Sequence, residues 1–260
     1  MTIIQVNNIS LYYETVGHGK PLLFLHGLGS CGADWLMQIP HFVSSYQVIT
    51  PDLRGHGKSD KSRGSYTIGE LAEDMAKLLE ALGIDSCDVV GLSLGSFVAL
   101  QLALDYPEKV KSLTLAGTTS SIKDIGKFSL AIRKYLLAIF PMWLVAKVIA
   151  WSCFPGEANR TFRKMCEARM SANDKQVYKK LYGALMPFDV TDRLSEIKCP
   201  VLLISGEKDL MLPPWHAKKM LQFFKNATHE VIPGAGHVMP IESPTTFNTL
   251  LERFLNGVKR

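Results

Sequence analysis

The feature of the sequence that most limits the fold lies at residues 89–95, VVGLSLG, where a serine has a glycine two residues before it and another two residues after it. Val89–Leu92 has the length and composition of a buried strand, and a helical pattern begins directly after Ser93. In so abrupt a strand-to-helix turn, side chains at these two flanking positions would collide, and Gly91 and Gly95 have none. The window therefore predicts a serine whose hydroxyl stands above the end of a sheet strand.

The rest of the chain alternates short apolar runs with helical patterns, which is typical of a parallel sheet covered by helices. The clearest helix covers residues 68–82, preceded by a T-x-x-E capping box formed by Thr67 and Glu70. Together with an opening hairpin, the pattern predicts an α/β fold: a mostly parallel, twisted sheet of about eight strands with an antiparallel start, flanked by helices. The further runs predicted as strands are Leu22–Leu25, Val48–Ile49, Leu113–Ala116, Val201–Ile204 and Glu230–Ile232.

Residues 120–187 interrupt this alternation. Here one helical pattern follows another with no strand between them, and the next strand comes only after Cys199 and Pro200. An insertion of this size predicts that the chain has two structural units, a core domain and a cap. Residues 1–119 and 188–260 would form the core domain, and residues 120–187 an all-helical cap, or lid.

The composition excludes several classes of protein. Hydrophobic residues make up 47% of the chain and charged residues 20%, which is the mixture of a globular protein and not of a disordered one. The basic residues behind the net charge of +5 are scattered, so nucleic-acid binding is not expected. The five cysteines are widely spaced and the N-terminus lacks the features of a signal peptide, so we expect a reduced, cytoplasmic protein without metal or other cofactor.

Three further motifs make the chain resemble the α/β-hydrolase superfamily over essentially its whole length outside the helical insertion. In that family a His-Gly pair follows the third strand, an acid follows a late strand and a histidine follows the last strand. This sequence has His26-Gly27, Asp209 in the window ISGEKD and His237 in the window PGAGH at these places. The family order of nucleophile, acid and histidine is kept.

The resemblance implies a hydrolase in which Ser93 is the nucleophile, His237 the general base and Asp209 the acid that orients the base. These residue types suit the chemistry, because a serine hydroxyl is a poor nucleophile until a neutral imidazole accepts its proton. The backbone amides of Leu28 and Leu94 would stabilise the oxyanion. The expected reaction is cleavage of a small-molecule carboxylic ester. C–C bond hydrolases, enol-lactonases, thioesterases and perhydrolases are relatives with the same triad.

Other residues compete for the roles of base and acid. His216 is a rival base, although it would lie inside a helix on the flank of the sheet. Asp124 follows another strand end, where some relatives carry the acid, and Glu207 lies two residues before Asp209. Asp209 is preferred to both. His26 is expected to brace the oxyanion loop.

Two interpretations from other functional classes stand beside the hydrolase. Residues 27–32, GLGSCG, match the G-x-G-x-x-G pattern of dinucleotide-binding loops, and Asp52 follows about 20 residues later, as in an NAD-binding oxidoreductase. Against this, two strands precede the loop, and the serine turn and the late histidine would have no purpose. The other interpretation is a non-catalytic ligand-binding protein, since fold alone does not fix function. The filled triad positions favour catalysis.

The helical insertion contains an unusually apolar stretch around Pro141. Part of it is expected to roof a pocket above Ser93 and receive an acyl chain, with Phe140, Met142 and Trp143 as walls. Packing against the core is the alternative. Charged residues interrupt the stretch, so no stable membrane span is expected, and weak interfacial contact of the cap stays open. Ser96, where many relatives have a second glycine, is expected to narrow the floor of the pocket.

Overall fold

The computed structural model describes residues 2–62, 64 and 66–258; residues 1, 63, 65, 259 and 260 of the predicted core domain lie outside the described residues. In this part of the chain, eight strands form one sheet in the order β1-β2-β4-β3-β5-β6-β7-β8. Strand β2 pairs antiparallel with β1 and β4, and every other pairing is parallel. The predicted sheet with its antiparallel start is confirmed. The strands are β1 Thr2–Val6, β2 Ile9–Val16, β3 Lys20–Leu25, β4 Tyr46–Pro51, β5 Cys87–Leu92, β6 Val110–Ala116, β7 Val201–Gly206 and β8 Ala227–Ile232.

Helices cover both faces of the sheet. The predicted helix after Thr67 begins at Ile68, and the Thr67 side chain accepts a hydrogen bond from the Glu70 amide at 3.0 Å, as the capping box predicts. The helices are α1 Ile39–Phe42, α2 Ile68–Ala81, α3 Leu94–Asp105, α4 Lys127–Ile139, α5 Met142–Cys153, α6 Arg160–Ser171, α7 Lys175–Leu185, α8 Trp215–Leu221, α9 Met239–Glu242 and α10 Pro244–Gly257.

The central strands read as continuous apolar runs because both of their faces are buried. Along β3, Leu23 and Leu25 belong to the hydrophobic core that includes α2 and α3, whereas Leu22 and Phe24 belong to the core on the opposite face. Strand β7 divides its side chains between the same two cores. This alternation is what a parallel sheet with two covered faces requires.

Residues 120–187 contain helices α4 to α7 and, among the described residues, no strand. The chain enters and leaves this stretch side by side: the Ile122 amide donates to the Phe188 carbonyl at 3.0 Å, and the Val190 amide donates to the Ser120 carbonyl at 2.9 Å. The two ends of the stretch therefore lie side by side at the sheet. Its status as a separate cap stays a prediction. None of the helices within the described residues is long and apolar enough to cross a membrane.

A buried ion pair fastens the loop after β4 to helix α2. The Arg54 guanidinium donates to both carboxylate oxygens of Asp74, at 2.7 and 2.6 Å, and the two side chains are only 8% and 0% exposed. The Asn7 side chain donates to the same carboxylate at 3.1 Å. Burial raises the pKa of Asp74 and the contact with Arg54 opposes that rise. The pair fixes the start of the loop that packs beneath the candidate active site.

We expect Arg54→Leu to lower the free energy of unfolding by about 3–5 kcal/mol, because it leaves the buried Asp74 carboxyl without its cation. The double variant Arg54→Leu/Asp74→Leu should recover most of that loss, since two apolar side chains of suitable size replace the pair without a buried charge. Urea unfolding followed by circular dichroism measures both. A double variant less stable than the single one would contradict the expectation.

Candidate active site

Ser93 occupies the strained turn that its glycines predict. Its backbone has φ +53° and ψ −116°, a conformation that a non-glycine residue adopts at a cost of about 1–3 kcal/mol. A Cβ on Gly91 would lie 2.3 Å from the Gly95 carbonyl oxygen, and one on Gly95 would lie 2.1 Å from the Leu25 carbonyl oxygen. Neither space admits a side chain. The turn holds Ser93 at the carboxyl end of β5, partly exposed.

Asp209 and His237, predicted from windows 28 residues apart, meet at the same end of the sheet. The His237 Nδ1–H group donates to Asp209 Oδ2 at 2.7 Å. The other oxygen, Oδ1, accepts from the amides of Met211 and Leu212 at 2.8 and 2.9 Å. The carboxylate therefore fixes the tautomer of the ring and leaves the lone pair on Nε2. That nitrogen is buried and has no hydrogen-bond partner among the described residues.

The surroundings of Asp209 keep its carboxyl group ionised. Burial alone would raise its pKa, but the contact with His237 and the hydrogen bonds from two backbone amides more than compensate, and the pKa is lowered from its usual value. Asp209 thus presents a negative charge to His237.

The loop after β3 lies against Ser93. A Cβ built on Gly27 would be 3.6 Å from the Ser93 Cβ, and Leu28 lines the cavity that contains Ser93. Leu94 is the first residue of α3, where an amide has no partner within the helix. Among the described residues, no protein acceptor takes up the amide of Leu28 or of Leu94. Both predicted oxyanion donors are therefore free to bind a ligand oxygen.

Two buried histidines support this loop from below. The His26 ring donates from Nδ1 to the Gly27 carbonyl at 2.8 Å and accepts at Nε2 from the Leu53 amide at 2.9 Å. The His56 ring stands edge-on to it, with ring centroids 4.9 Å apart. Burial lowers the pKa of His26 to about 4 and that of His56 to about 3. His26 therefore braces the loop as a neutral ring.

Glu242 is a site residue that the sequence analysis missed. Its carboxylate accepts from the amides of Gly236 and Val238, at 2.9 and 3.1 Å, and so brackets His237 on both sides. The Asn159 side chain donates to the same carboxylate at 2.9 Å. Burial raises the pKa of Glu242, which the two amides oppose. The spacing GHxxxxE is visible in the sequence, but it indicates this contact only once the loop after β8 is known to fold back.

A cavity of about 180 Å³ opens above Ser93 and His237. Its walls come mainly from apolar residues of the core and of α4 to α7. The residues of α5 in the wall are Val145, Val148, Ile149, Ser152 and Cys153.

The predicted wall residues Phe140, Met142 and Trp143 do not line the cavity, and this expectation was wrong. Trp143 is 61% exposed, Met142 is buried in the core, and Phe140 follows the end of α4. The helix is apolar almost all round, so its sequence does not reveal which side faces inward. Ser96 is also absent from the lining: it is buried and donates to the Ser93 carbonyl at 2.6 Å instead of narrowing the floor.

Helix α6 is attached to the loop after β3. The Arg169 guanidinium forms an ion pair with Asp34, and the Ser30 hydroxyl donates to the same carboxylate. Just beyond the helix, the Asn173 side chain donates to the Gly29 carbonyl at 2.9 Å. The helical stretch and the loop after β3 are thus joined directly.

Among the described residues, the rival acids and the rival base form no hydrogen bond with His237. His216 is buried under Trp215, with ring centroids 3.6 Å apart, and does not line the cavity. Asp124 pairs with Lys219, and Glu207 accepts from the Gly234 amide at 2.8 Å.

Asp52, the acid that the dinucleotide-binding interpretation requires, is engaged in other hydrogen bonds. The Asp52 carboxylate is buried and accepts from the amides of Gly32 and Lys58 at 2.7 and 2.8 Å. It ties the glycine loop to the loop after β4 and is not presented to a ribose.

Comparison with known proteins agrees with this fold. Residues 20–163 match the sequence model of the α/β-hydrolase fold. The chain is 30% identical to the proposed carbamate hydrolase RutD of Caulobacter vibrioides, over 99% of this chain and 98% of the relative. Among solved structures, the enol-lactonase of Burkholderia xenovorans LB400 has a TM-score of 0.91 at 25% identity, covering 98% of this chain and all 100% of that one. A thermophilic esterase of Thermogutta terrifontis has a TM-score of 0.85 at 25% identity, covering 97% and 95%.

The lowered pKa values of His26 and His56 predict a loss of stability in acid. An unfolded imidazole binds a proton below pH ~6.5, whereas the folded rings stay neutral down to about pH 4 and 3. The unfolded state therefore binds more protons in this window, and the stability present above pH ~6.5 is lost as the pH falls. Urea unfolding at a series of pH values should show the decline. In His56→Phe the decline should flatten by up to about 1.4 kcal/mol per pH unit, and an unchanged slope would contradict the assignment.

Proposed function

The chain belongs to the α/β-hydrolase fold family, and from this premise we propose that it is a serine hydrolase that cleaves a small-molecule carboxylic ester through an acyl-enzyme intermediate. The observation that carries the proposal is the state of His237. Asp209 holds its Nδ1–H group, while Nε2 is buried without a partner in the described chain, and the ring lines the same cavity as Ser93. A buried nitrogen that lacks a partner is costly unless a ligand or a reacting group uses it.

In the proposed acylation, Ser93 Oγ attacks the ester carbonyl carbon as its proton passes to His237 Nε2. Asp209 stabilises the imidazolium that forms, because its own low pKa keeps the carboxylate charged. The amides of Leu28 and Leu94 receive the oxyanion of the tetrahedral intermediate. Collapse of that intermediate breaks the bond to the alcohol, which takes the proton from His237.

In the proposed deacylation, water takes the place of the alcohol. His237 Nε2 accepts a proton from the water, the hydroxide attacks the acyl carbon, and Ser93 leaves with the proton returned to its oxygen. The carboxylic acid is then released. Ser93, His237, Asp209 and the two amides serve both halves of the cycle. One fixed tautomer of His237 suffices, because Nε2 both accepts and returns the proton in each half.

The cavity walls support an apolar acyl group and a cap role for residues 120–187. Leu130, Val145, Ile149 and Met170 contribute apolar side chains from three helices of that segment. Burial of an acyl chain against them would stabilise the bound ester in proportion to the apolar area removed from water. We accordingly propose these residues as part of the acyl site, in place of Phe140, Met142 and Trp143.

The relatives suggest two other substrates for the same groups. A carbamate, as in the name of the RutD proteins, and a lactone, as in the name of the enol-lactonase, both present a carbonyl carbon to a serine nucleophile. The apolar walls favour an ester with an acyl chain over a small polar carbamate. Turnover of esters, lactones and carbamates of equal chain length, side by side, separates the three.

Ser93→Ala is expected to abolish ester hydrolysis without loss of the fold, because it removes the nucleophile. Asp209→Asn should lower kcat by roughly 10⁴-fold, since the tautomer and charge of His237 are no longer held. A fluorophosphonate probe should label Ser93 in the wild type. Ser152→Ala, which alters a serine in the same cavity wall, is the matched control and should still be labelled. Wild-type turnover by purified Ser93→Ala would refute the mechanism.

The acyl specificity should follow the apolar walls. For p-nitrophenyl esters, kcat/KM should rise from acetate by up to about fourfold per methylene, the equivalent of about 0.8 kcal/mol, until the cavity is full. Val145→Ala should lower the value for the longer esters more than for acetate. If acetate is the best substrate of the series, the walls serve packing and the acyl preference proposed here is incorrect.

A further inference from the structure

Helix α4 places one arginine on its inward face. Leu130, Leu136 and Leu137 line the cavity above Ser93, and Arg133 lies on the same face and also lines it. Lys134, the next residue, is exposed on the outer side of the helix. Arg133 is only partly exposed, so its position in the wall removes part of its hydration.

The described part of the chain supplies no anion for this guanidinium. Among the described residues, Arg133 has no hydrogen bond and no salt bridge. The acidic side chain in the described cavity wall is Asp34, which is already paired with Arg169 and accepts from Ser30. The described wall therefore contains two arginines and one carboxylate, an excess of one positive charge in a mostly apolar surface.

Tyr182 lines the same cavity as Arg133. Burial raises the pKa of Tyr182, and the charge of Arg133 acts against that rise. Tyr182 itself donates to the Leu130 carbonyl at 3.3 Å. A tyrosine cannot neutralise the arginine at neutral pH, because the phenol stays protonated.

From this geometry we propose that the substrate carries a carboxylate, bound by Arg133, at a distance from the ester carbonyl that Ser93 attacks. The planar guanidinium matches a carboxylate with two parallel hydrogen bonds, and such a pair is strongest where water is scarce. The apolar side chains between Arg133 and Ser93 would contact the hydrocarbon spacer. This proposal rests on the proposed serine hydrolase function and narrows its substrate class.

The test compares pairs of esters that differ only in charge. For a carboxylate on the acyl side, the pair is the p-nitrophenyl monoester of glutarate and its primary amide, repeated with succinate and adipate to vary the spacer. For a carboxylate on the alcohol side, the pair is para-acetoxybenzoate and para-acetoxybenzamide. In the wild type, kcat/KM for the carboxylate should exceed that for the amide by about 10- to 100-fold in one of the two arms.

Arg133→Gln should abolish this preference for the carboxylate, and Arg133→Glu should reverse it. Lys134→Gln removes the same charge one residue away, outside the cavity, and should keep the preference. Equal preference ratios in the wild type and in Arg133→Gln, in both arms, would overturn the proposal. Ser93→Ala should lose turnover of every ester, neutral or anionic, so failure of the hydrolase mechanism is visible separately.

A binding measurement decides the proposal without turnover. In calorimetric titration of the Ser93→Ala protein, glutarate monoamide and glutaramide serve as a carboxylate probe and its neutral counterpart. The carboxylate should bind more tightly, and the difference should vanish when Arg133→Gln is added. If both bind equally to Ser93→Ala, Arg133 does not recognise a carboxylate, whatever the ester assays show.

Discussion

The close approach of helix α3 to the end of strand β3 is the constraint on which the rest of the site depends. At Gly95 the backbone of the helix comes so near to the Leu25 carbonyl that no Cβ fits between them. This contact sets the sharp turn at Ser93 and brings the Gly27 loop beside it. Because β3, β5, β7 and β8 are parallel, their carboxyl ends lie on the same edge of the sheet, and the loops that follow carry every proposed catalytic group to that edge.

Buried polar contacts hold these loops in place, and the residues that form them take no part in the proposed reaction. Arg54 and Asp74 fix the loop after β4, and that loop offers the Leu53 amide to His26. Glu242 does the same for the loop that carries His237. These groups are structural in their chemistry, yet the geometry of the proposed mechanism relies on them, because an oriented site needs neighbours that are themselves fixed.

The sequence predicted features that depend on neighbouring residues. It failed to predict features that depend on contacts between segments far apart in the chain. The tight serine turn and the succession of strands along the chain follow from local spacing, Asp209 and His237 were expected from the resemblance to the α/β-hydrolases, and the fold was confirmed. The contacts of Glu242 and the place of Arg133 in the cavity wall became visible only in the folded chain, since both depend on segments far away in sequence. The wall residues around Pro141 were predicted wrongly because a helix that is apolar on nearly all sides does not disclose its rotation.

The bonds between helix α6 and the loop after β3 limit how this protein can be altered. Arg169 neutralises a nearly buried carboxylate, Asp34, that belongs to the other side of the cavity, and Asn173 binds the Gly29 carbonyl. A helical segment transplanted from another enzyme would leave Asp34 uncompensated and the Gly29 carbonyl without its donor, unless it brought equivalent groups. The segment is therefore not a modular attachment, and changes in it and in the loop after β3 are expected to accumulate together during evolution.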